Sequence, residues 1–258
     1  MLQALVFDVD GTLADTEEAH RAAFNQAFAE AGCPWVWDRD VYGQLLAVSG
    51  GKERILAYWK QQQPDPEPFL GNSVQDTVDY LHARKTAAYA QAVQDGAVPL
   101  RPGVLALIEE ASHAGLRLAI ATTTTPANID ALLQATIGSR WRTLFSVIED
   151  AATAPLKKPH PQAYLQTLQH LQLPGAACLV FEDSANGLQA ATAAGLATLI
   201  TPNGYTEDQD FGCALRVLPN LAGVKLAQLR AWHENAASCG ERPSGPSGAR
   251  AAMPGTPI

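Results

Sequence analysis

The run Leu5-Val6-Phe7-Asp8-Val9-Asp10-Gly11-Thr12 constrains this chain more than any other stretch. Its apolar start shows no polar alternation, the pattern of a strand covered on both faces. It ends in two carboxylates, Asp8 and Asp10, separated by one residue. In open α/β sheets ligands bind beyond the carboxyl ends of the strands, so these acids stand where chemistry is expected. Gly11 then lets the backbone turn sharply out of the sheet. Taken alone, such a pair serves a helix cap or a solvated loop as readily as it serves a reaction.

With 258 residues and 47% hydrophobic composition the chain can bury a core with an insertion. A net charge of −8 argues against a nucleic-acid partner, whose footprint is basic. It leaves room for a small phosphorylated substrate on a local basic patch. Cys33, Cys178, Cys213 and Cys239 are scattered without metal-ligand spacing, as reduced cytosolic thiols are. No apolar run approaches the ~18 residues that span a bilayer. A monomer without membrane contact is expected, in the cytoplasm, or in the chloroplast stroma if a transit peptide has been removed.

Ala14-Asp15-Thr16-Glu17-Glu18 reads as a helix start, with Asp15 and Glu18 placed for a capping box. The helix stops near Gly32, and further helices are expected over Asp38–Ala47, Lys52–Gln62 and Ser73–Val93. No strand is expected between Gly11 and Leu116. In the loop Ser49-Gly50-Gly51-Lys52-Glu53-Arg54, free N–H groups, a helix start and two cations favour an anion. An ordinary helix–helix turn is the competing account. Glu17 and His20 share a helix face just beyond the acidic pair, and His82 and Lys85 share another. For both pairs a structural or surface role competes equally with substrate contact.

From Pro99 an α/β rhythm begins. A helix opens at Arg101-Pro102-Gly103, and strand Leu116–Ala121 ends in Thr122-Thr123-Thr124-Thr125-Pro126. Thr125 before a proline is a plain helix start, which leaves Thr122 at the strand end unexplained. A strand over Phe145–Ile148 precedes Lys157-Lys158-Pro159, with Pro161 opening the next helix. Strand Ala177–Phe181 ends in Glu182-Asp183-Ser184-Ala185-Asn186-Gly187, whose adjacent acids repel unless a cation relieves them. A helix from Ser184 to Gly195, strand Ala197–Thr201, a polar loop, strand Ala214–Leu218 and a helix from Leu221 follow. From Ala236 the composition reads as disordered.

The four strand ends, in this order, resemble the four motifs of the haloacid dehalogenase superfamily over about residues 1–230. The resemblance implies a doubly wound, Rossmann-like α/β core at 1–14 and 97–235, a mobile helical cap at 15–96, and a tail at 236–258. It implies Asp8 as nucleophile, Asp10 as general acid and base, Thr122 as phosphate holder and Lys158 as charge partner. Lys158 is preferred to Lys157 because it directly precedes the proline. Mg²⁺ is the implied cofactor, on Asp8, Asp10, Glu182 and Asp183, with Asp183 a direct ligand and Glu182 acting through water. A carboxylate can take up a phosphoryl group, and a hard cation relieves its repulsion from phosphate.

Gly50-Gly51-Lys52-Glu53-Arg54, Ala121-Thr122-Thr123-Thr124, Lys157-Lys158-Pro159 and Glu182–Gly187 are similar to CbbY-type phosphatases of carbon-fixing organisms. That implies xylulose 1,5-bisphosphate, with substrate contacts at Glu17, His20, Gly50, Gly51, Lys52, Arg54, His82, Lys85, Thr123, Thr124 and Asn186. A β-phosphoglucomutase-like enzyme shares every catalytic residue named. A carbon–halogen hydrolase would have little use for Asp10 and Asp183, and a phospho-receiver domain would lack the long helical insertion.

Overall fold

The computed structural model describes residues 1–71 and 73–240. Six strands, β1 (Ala4–Phe7), β2 (Arg117–Ala121), β3 (Phe145–Glu149), β4 (Cys178–Glu182), β5 (Ala197–Ile200) and β6 (Arg216–Val217), form one parallel sheet. Their order is β3-β2-β1-β4-β5-β6. This is the doubly wound arrangement, in which the strand order reverses beside β1 and leaves a crevice at the carboxyl ends. Asp8 leaves β1 at that point, and its N–H donates to Phe181 O at 3.0 Å.

Side chains alternate across β1 and so divide the core into two layers. Leu5 and Phe7 pack with helices α5 (Val104–His113), α6 (Pro126–Thr136), α7 (Trp141–Leu144) and α10 (Leu226–Gly240). Ala4 and Val6 pack with α8 (Gln162–Leu171) and α9 (Ala185–Ala193). Burial of β1 on both faces explains its unbroken apolar run.

Between β1 and β2 lie α1 (Glu17–Glu30), α2 (Arg39–Leu45), α3 (Gly51–Gln62) and α4 (Val74–Gln94), the inserted cap. They enclose a separate apolar cluster built on Phe24, Phe28, Trp37, Tyr42 and Trp59. Asp38 and Ser73 cap α2 and α4 by accepting from Val41 N and Asp76 N, as short polar side chains do at helix starts. No helix among the described residues is long and apolar enough to cross a membrane.

Three expectations are corrected. No capping box forms at Asp15: Thr16 is the cap position of α1 and makes no side-chain cap bond. Asp15 instead pairs with Arg101 Nε at 3.3 Å, drawn to a buried cation from the far hinge. The final helix starts at Leu226 rather than Leu221, because Gly223, at φ 74°, takes a left-handed conformation that interrupts any helix begun at Leu221. Residues 236–240, assigned to the tail, continue that helix, and 241–258 lie outside the described residues.

Candidate active site

A cavity of about 330 Å³ opens where the carboxyl ends of β1, β2 and β4 face the cap. Its floor is a buried charge cluster. Lys158 Nζ donates to Asp8 Oδ1 at 2.6 Å, to Glu182 Oε1 at 2.5 Å and to Ala121 O at 2.9 Å. The Tyr164 hydroxyl donates to the same Glu182 oxygen. Burial opposes charge on Lys158, but Asp8 and Glu182 overcome it and hold the ammonium well above its usual range. Burial, reinforced by Glu182, raises Asp8 to about 7 against the pull of Lys158.

Asp8, Glu182 and Asp183 each place one oxygen within 4.8 Å of the others. Burial and the two neighbouring carboxylates push Asp183 well above the ordinary carboxylate range. Three buried acids thus share one lysine, an imbalance that a hard oxygen-loving cation would offset. The donor set, all carboxylate oxygen, fits Mg²⁺ in kind. Asp10, expected among the metal residues, lies outside this carboxylate group. Its side chain is held instead by His20, with Nε2 and Oδ1 at 2.9 Å.

His20 is buried between Asp10 and Lys85, whose Nζ stands 2.8 Å from Nδ1. Burial and Lys85 lower the His20 pKa, against the opposite pull of Asp10. A neutral ring that accepts from Lys85 at Nδ1 must donate to Asp10 from Nε2. Burial would raise Asp10, but His20 and Lys85 hold it below the usual carboxylate range. Burial also brings Lys85 down to about 8, against the pull of Asp10.

The structure brings Glu17, Gly50, Gly51, Arg54, His82, Thr122, Thr123, Thr124 and Asn186 to the cavity wall with these groups. Gly50 has φ 98°, in the left-handed region, where side chains are strained. A Cβ on Gly51 would stand 2.8 Å from the His82 ring, so glycine lets α3 approach α4. Arg54 donates to Tyr42 Oη at 3.1 Å and to Leu45 O at 3.1 Å. Asn186 Nδ2 reaches Ala47 O and Ser49 Oγ across the cap boundary, each at 3.3 Å. Lys52 is not brought there: it pairs with Asp79 at 2.6 Å on an exposed face. One residue before Arg54's neighbour Glu53, Lys52 projects from a different side of the helix.

Sequence reasoning missed Tyr164, Tyr42, Asn128 and Asn203. Tyr164 supports Glu182, while Tyr42 joins Arg54 to Glu17, its hydroxyl donating to Glu17 Oε2 at 2.9 Å. Asn128 lines the cavity and donates to Thr124 Oγ1 at 3.0 Å. Asn203 donates to Asp183. Asn203 stands three residues beyond the carboxyl end of β5, whereas Tyr164, Tyr42 and Asn128 share no short motif with the acids. The strand end and polar loop that hold Asn203 and the helix phase of Tyr164 were the available signals.

The haloacid dehalogenase-like hydrolase model matches residues 2–195. The chain belongs to the haloacid dehalogenase-like hydrolase family. Protein CbbY of Cupriavidus necator is 52% identical, the match covering 90% of this chain and 97% of that protein. The crystal structure of CbbY from Rhodobacter sphaeroides with phosphate superposes at TM-score 0.83, with 42% identity, covering 89% of this chain and 100% of that one. A mutant of the same protein was crystallised with xylulose 1,5-bisphosphate and matches at TM-score 0.83 and 42% identity, covering 89% and 99% of the two chains. This family member is an enzyme, a phosphatase, with a Rossmann-like core and an inserted cap.

Proposed function

We propose that this enzyme is a Mg²⁺-dependent sugar bisphosphate phosphatase acting on xylulose 1,5-bisphosphate through a phosphorylated Asp8. The observation that carries the reading is the Asp8–Lys158–Glu182 cluster, lying beside Asp183 and opposite a basic cap wall. The similarity to CbbY proteins, one of them crystallised with this bisphosphate, supports the choice of substrate.

In the first half-reaction an Asp8 oxygen bonds phosphorus, the phosphorus–oxygen bond to the sugar breaks, and Asp10 gives its proton to the leaving oxygen. His20 and Lys85 hold Asp10 ionised before substrate enters. The incoming phosphate is a like charge that raises its proton affinity, so Asp10 takes up a solvent proton as substrate binds and returns one to solvent when phosphate leaves. In the second half-reaction Asp10 takes a proton from water as its oxygen attacks phosphorus, and the bond to Asp8 breaks, releasing phosphate. Lys158 holds Asp8 in place throughout, and Thr122, whose N–H is engaged by Glu149 O at 2.9 Å, offers its hydroxyl. Bound Mg²⁺ supplies charge neutralisation between phosphate and carboxylates, and Asp8, Glu182 and Asp183 would hold it. Arg54 and the Gly50–Gly51 turn receive the second phosphate, and the cap, over 15–96, excludes water when seated.

The test is phosphate release from a panel of sugar mono- and bisphosphates, with and without Mg²⁺. Xylulose 1,5-bisphosphate should give the highest kcat/KM, and turnover should vanish with chelator. A monophosphate preferred over every bisphosphate would overturn the substrate reading. A phosphoenzyme made with acetyl phosphate should decay in water alone. Decay only on adding glucose 1-phosphate, with label passing to the sugar, would make the enzyme a mutase.

A further inference from the structure

Asn203 stands outside the four strand-end motifs, yet its side chain touches the acid cluster. Its Nδ2 donates to Asp183 Oδ2 at 2.8 Å. The contact lies against the catalytic turn: a Cβ on Gly11 would stand 2.2 Å from Asp183 Oδ2 and 2.6 Å from Asn203 Nδ2. Asn203 Oδ1 accepts from Tyr205 N at 2.8 Å, an Asx turn. That turn fixes which way the amide points. An aspartate would make the same turn, but would set a fourth carboxylate against Asp183. The amide is therefore required by Asp183 rather than by the loop.

The loop carrying Asn203 is held from both sides. Arg101, buried, donates from Nη2 to Pro202 O at 2.6 Å and from Nη1 to Thr201 O at 2.5 Å and Gly11 O at 2.5 Å. One guanidinium thus ties the catalytic turn to the residue preceding Asn203. On the other side Tyr205 reaches the cap. Its hydroxyl donates to Glu18, and its ring carries the Arg39 guanidinium at 4.7 Å and meets Tyr42 edge-on at 5.7 Å. Arg39 Nη2 also donates to Gly204 O at 3.1 Å.

We infer that Asn203 is a positioning residue for the metal carboxylate Asp183, and that Tyr205 links its aim to the seating of the cap. With Oδ2 engaged by Asn203, the carboxylate is turned so that its other oxygen is left for a cation. A cap seated on Tyr205 steadies the segment that makes this contact, and by linkage a bound cation favours the seated cap to the same degree. The inference rests on the proposed metal role of Asp183.

The experiment follows Mn²⁺ binding to the chelator-stripped full chain by loss of the free-ion electron paramagnetic resonance signal. Wild type, Asp183→Asn, Asn203→Ala and Tyr205→Ala are compared, with thermal melts to establish folding. Asp183→Asn should lose most binding. Asn203→Ala should bind about tenfold more weakly, as loss of a group that orients a ligand does. Its Mg²⁺ dependence of phosphate release should shift in the same proportion, with kcat largely recovered at saturating metal. Tyr205→Ala, which leaves the Asn203 side chain in place, should weaken Mn²⁺ by about threefold. Folded Asn203→Ala with wild-type Mn²⁺ affinity overturns the inference, and unchanged affinity in Tyr205→Ala overturns the link to the cap. If Asn203→Ala fails to fold, Asn203→Asp, which keeps the turn to Tyr205 N but loses the donor to Asp183, takes its place, and wild-type Mn²⁺ affinity in it overturns the inference. Wild-type binding by Asp183→Asn would instead remove the metal reading, and this inference with it.

Discussion

The floor of the cavity and its cap wall carry opposite charge on different kinds of element. The floor is Asp8, Glu182 and Asp183 around Lys158, with its acids at the ends of adjacent parallel strands. Phe7 and Phe181 are register partners, so the next residues, Asp8 and Glu182, are set side by side by the ladder itself. Neighbouring strands are ~4.8 Å apart, and that spacing holds the carboxylates together whatever they do. The cap wall is His20, Arg54, His82 and Lys85, from three helices whose mutual placement depends on the aromatic cluster beneath them. The floor is thus preorganised by backbone hydrogen bonds, whereas the cap wall is only as well placed as its side-chain contacts.

The comparison predicts that damage to the floor abolishes chemistry and damage to the cap shifts affinity. Asp8→Asn removes the attacking charge, and phosphate release should fall by about three orders of magnitude or more. Substantial turnover in a folded Asp8→Asn protein would sink the covalent route. Lys158→Met should be the most destabilising change, because Asp8 and Glu182 would remain buried without their cation. Breaking a buried pair in this way costs about 3–5 kcal/mol, measurable by denaturant unfolding. A cost below about 1 kcal/mol would mean that the floor tolerates its own repulsion.

On the cap side, Arg54→Ala should raise KM for a bisphosphate by about tenfold, with a smaller change for a single-phosphate ester and for kcat. Lys52→Ala, which removes an exposed ion pair outside the cavity, should change KM by less than about twofold. Equal effects of the two variants would erase the distinction drawn between them.

A smaller effect concerns pH and stability. Lys85 releases its proton near 8 in the folded chain, against its ordinary 10.5. Between those values the unfolded chain binds more protons, so stability of the native protein rises with pH through this window. Lys85→Met lacks the group, so the stability of wild type relative to Lys85→Met should rise between about pH 8 and 10.5, by no more than a few kcal/mol. A flat difference would show that Lys85 is not held below its ordinary proton affinity.

The sequence by itself determined where the strand-end acids stand, because position in an open parallel sheet follows directly from a local pattern. An apolar run marks a strand, and its last residues must emerge at the carboxyl edge. The places of Asp8, Thr122, Glu182 and Asp183 were legible for that reason, and so was the strand-free helical insertion. Tertiary structure alone decided which cap residues face inward. Lys52 and Arg54 are two residues apart in one cationic loop, yet helix phase sends one to Asp79 and the other to the cavity. It alone turned Asp10 toward His20 and Lys85, which lies sixty-five residues beyond His20 and joins it only when α1 and α4 pack. Tyr164 reaches the acids from a helix face, and Asn203 from the loop after β5, where the strand end marks the position but only the packed core shows which acid its amide meets. Backbone hydrogen bonding propagates a local signal along a strand, but side-chain meetings between distant elements are settled only when the core closes.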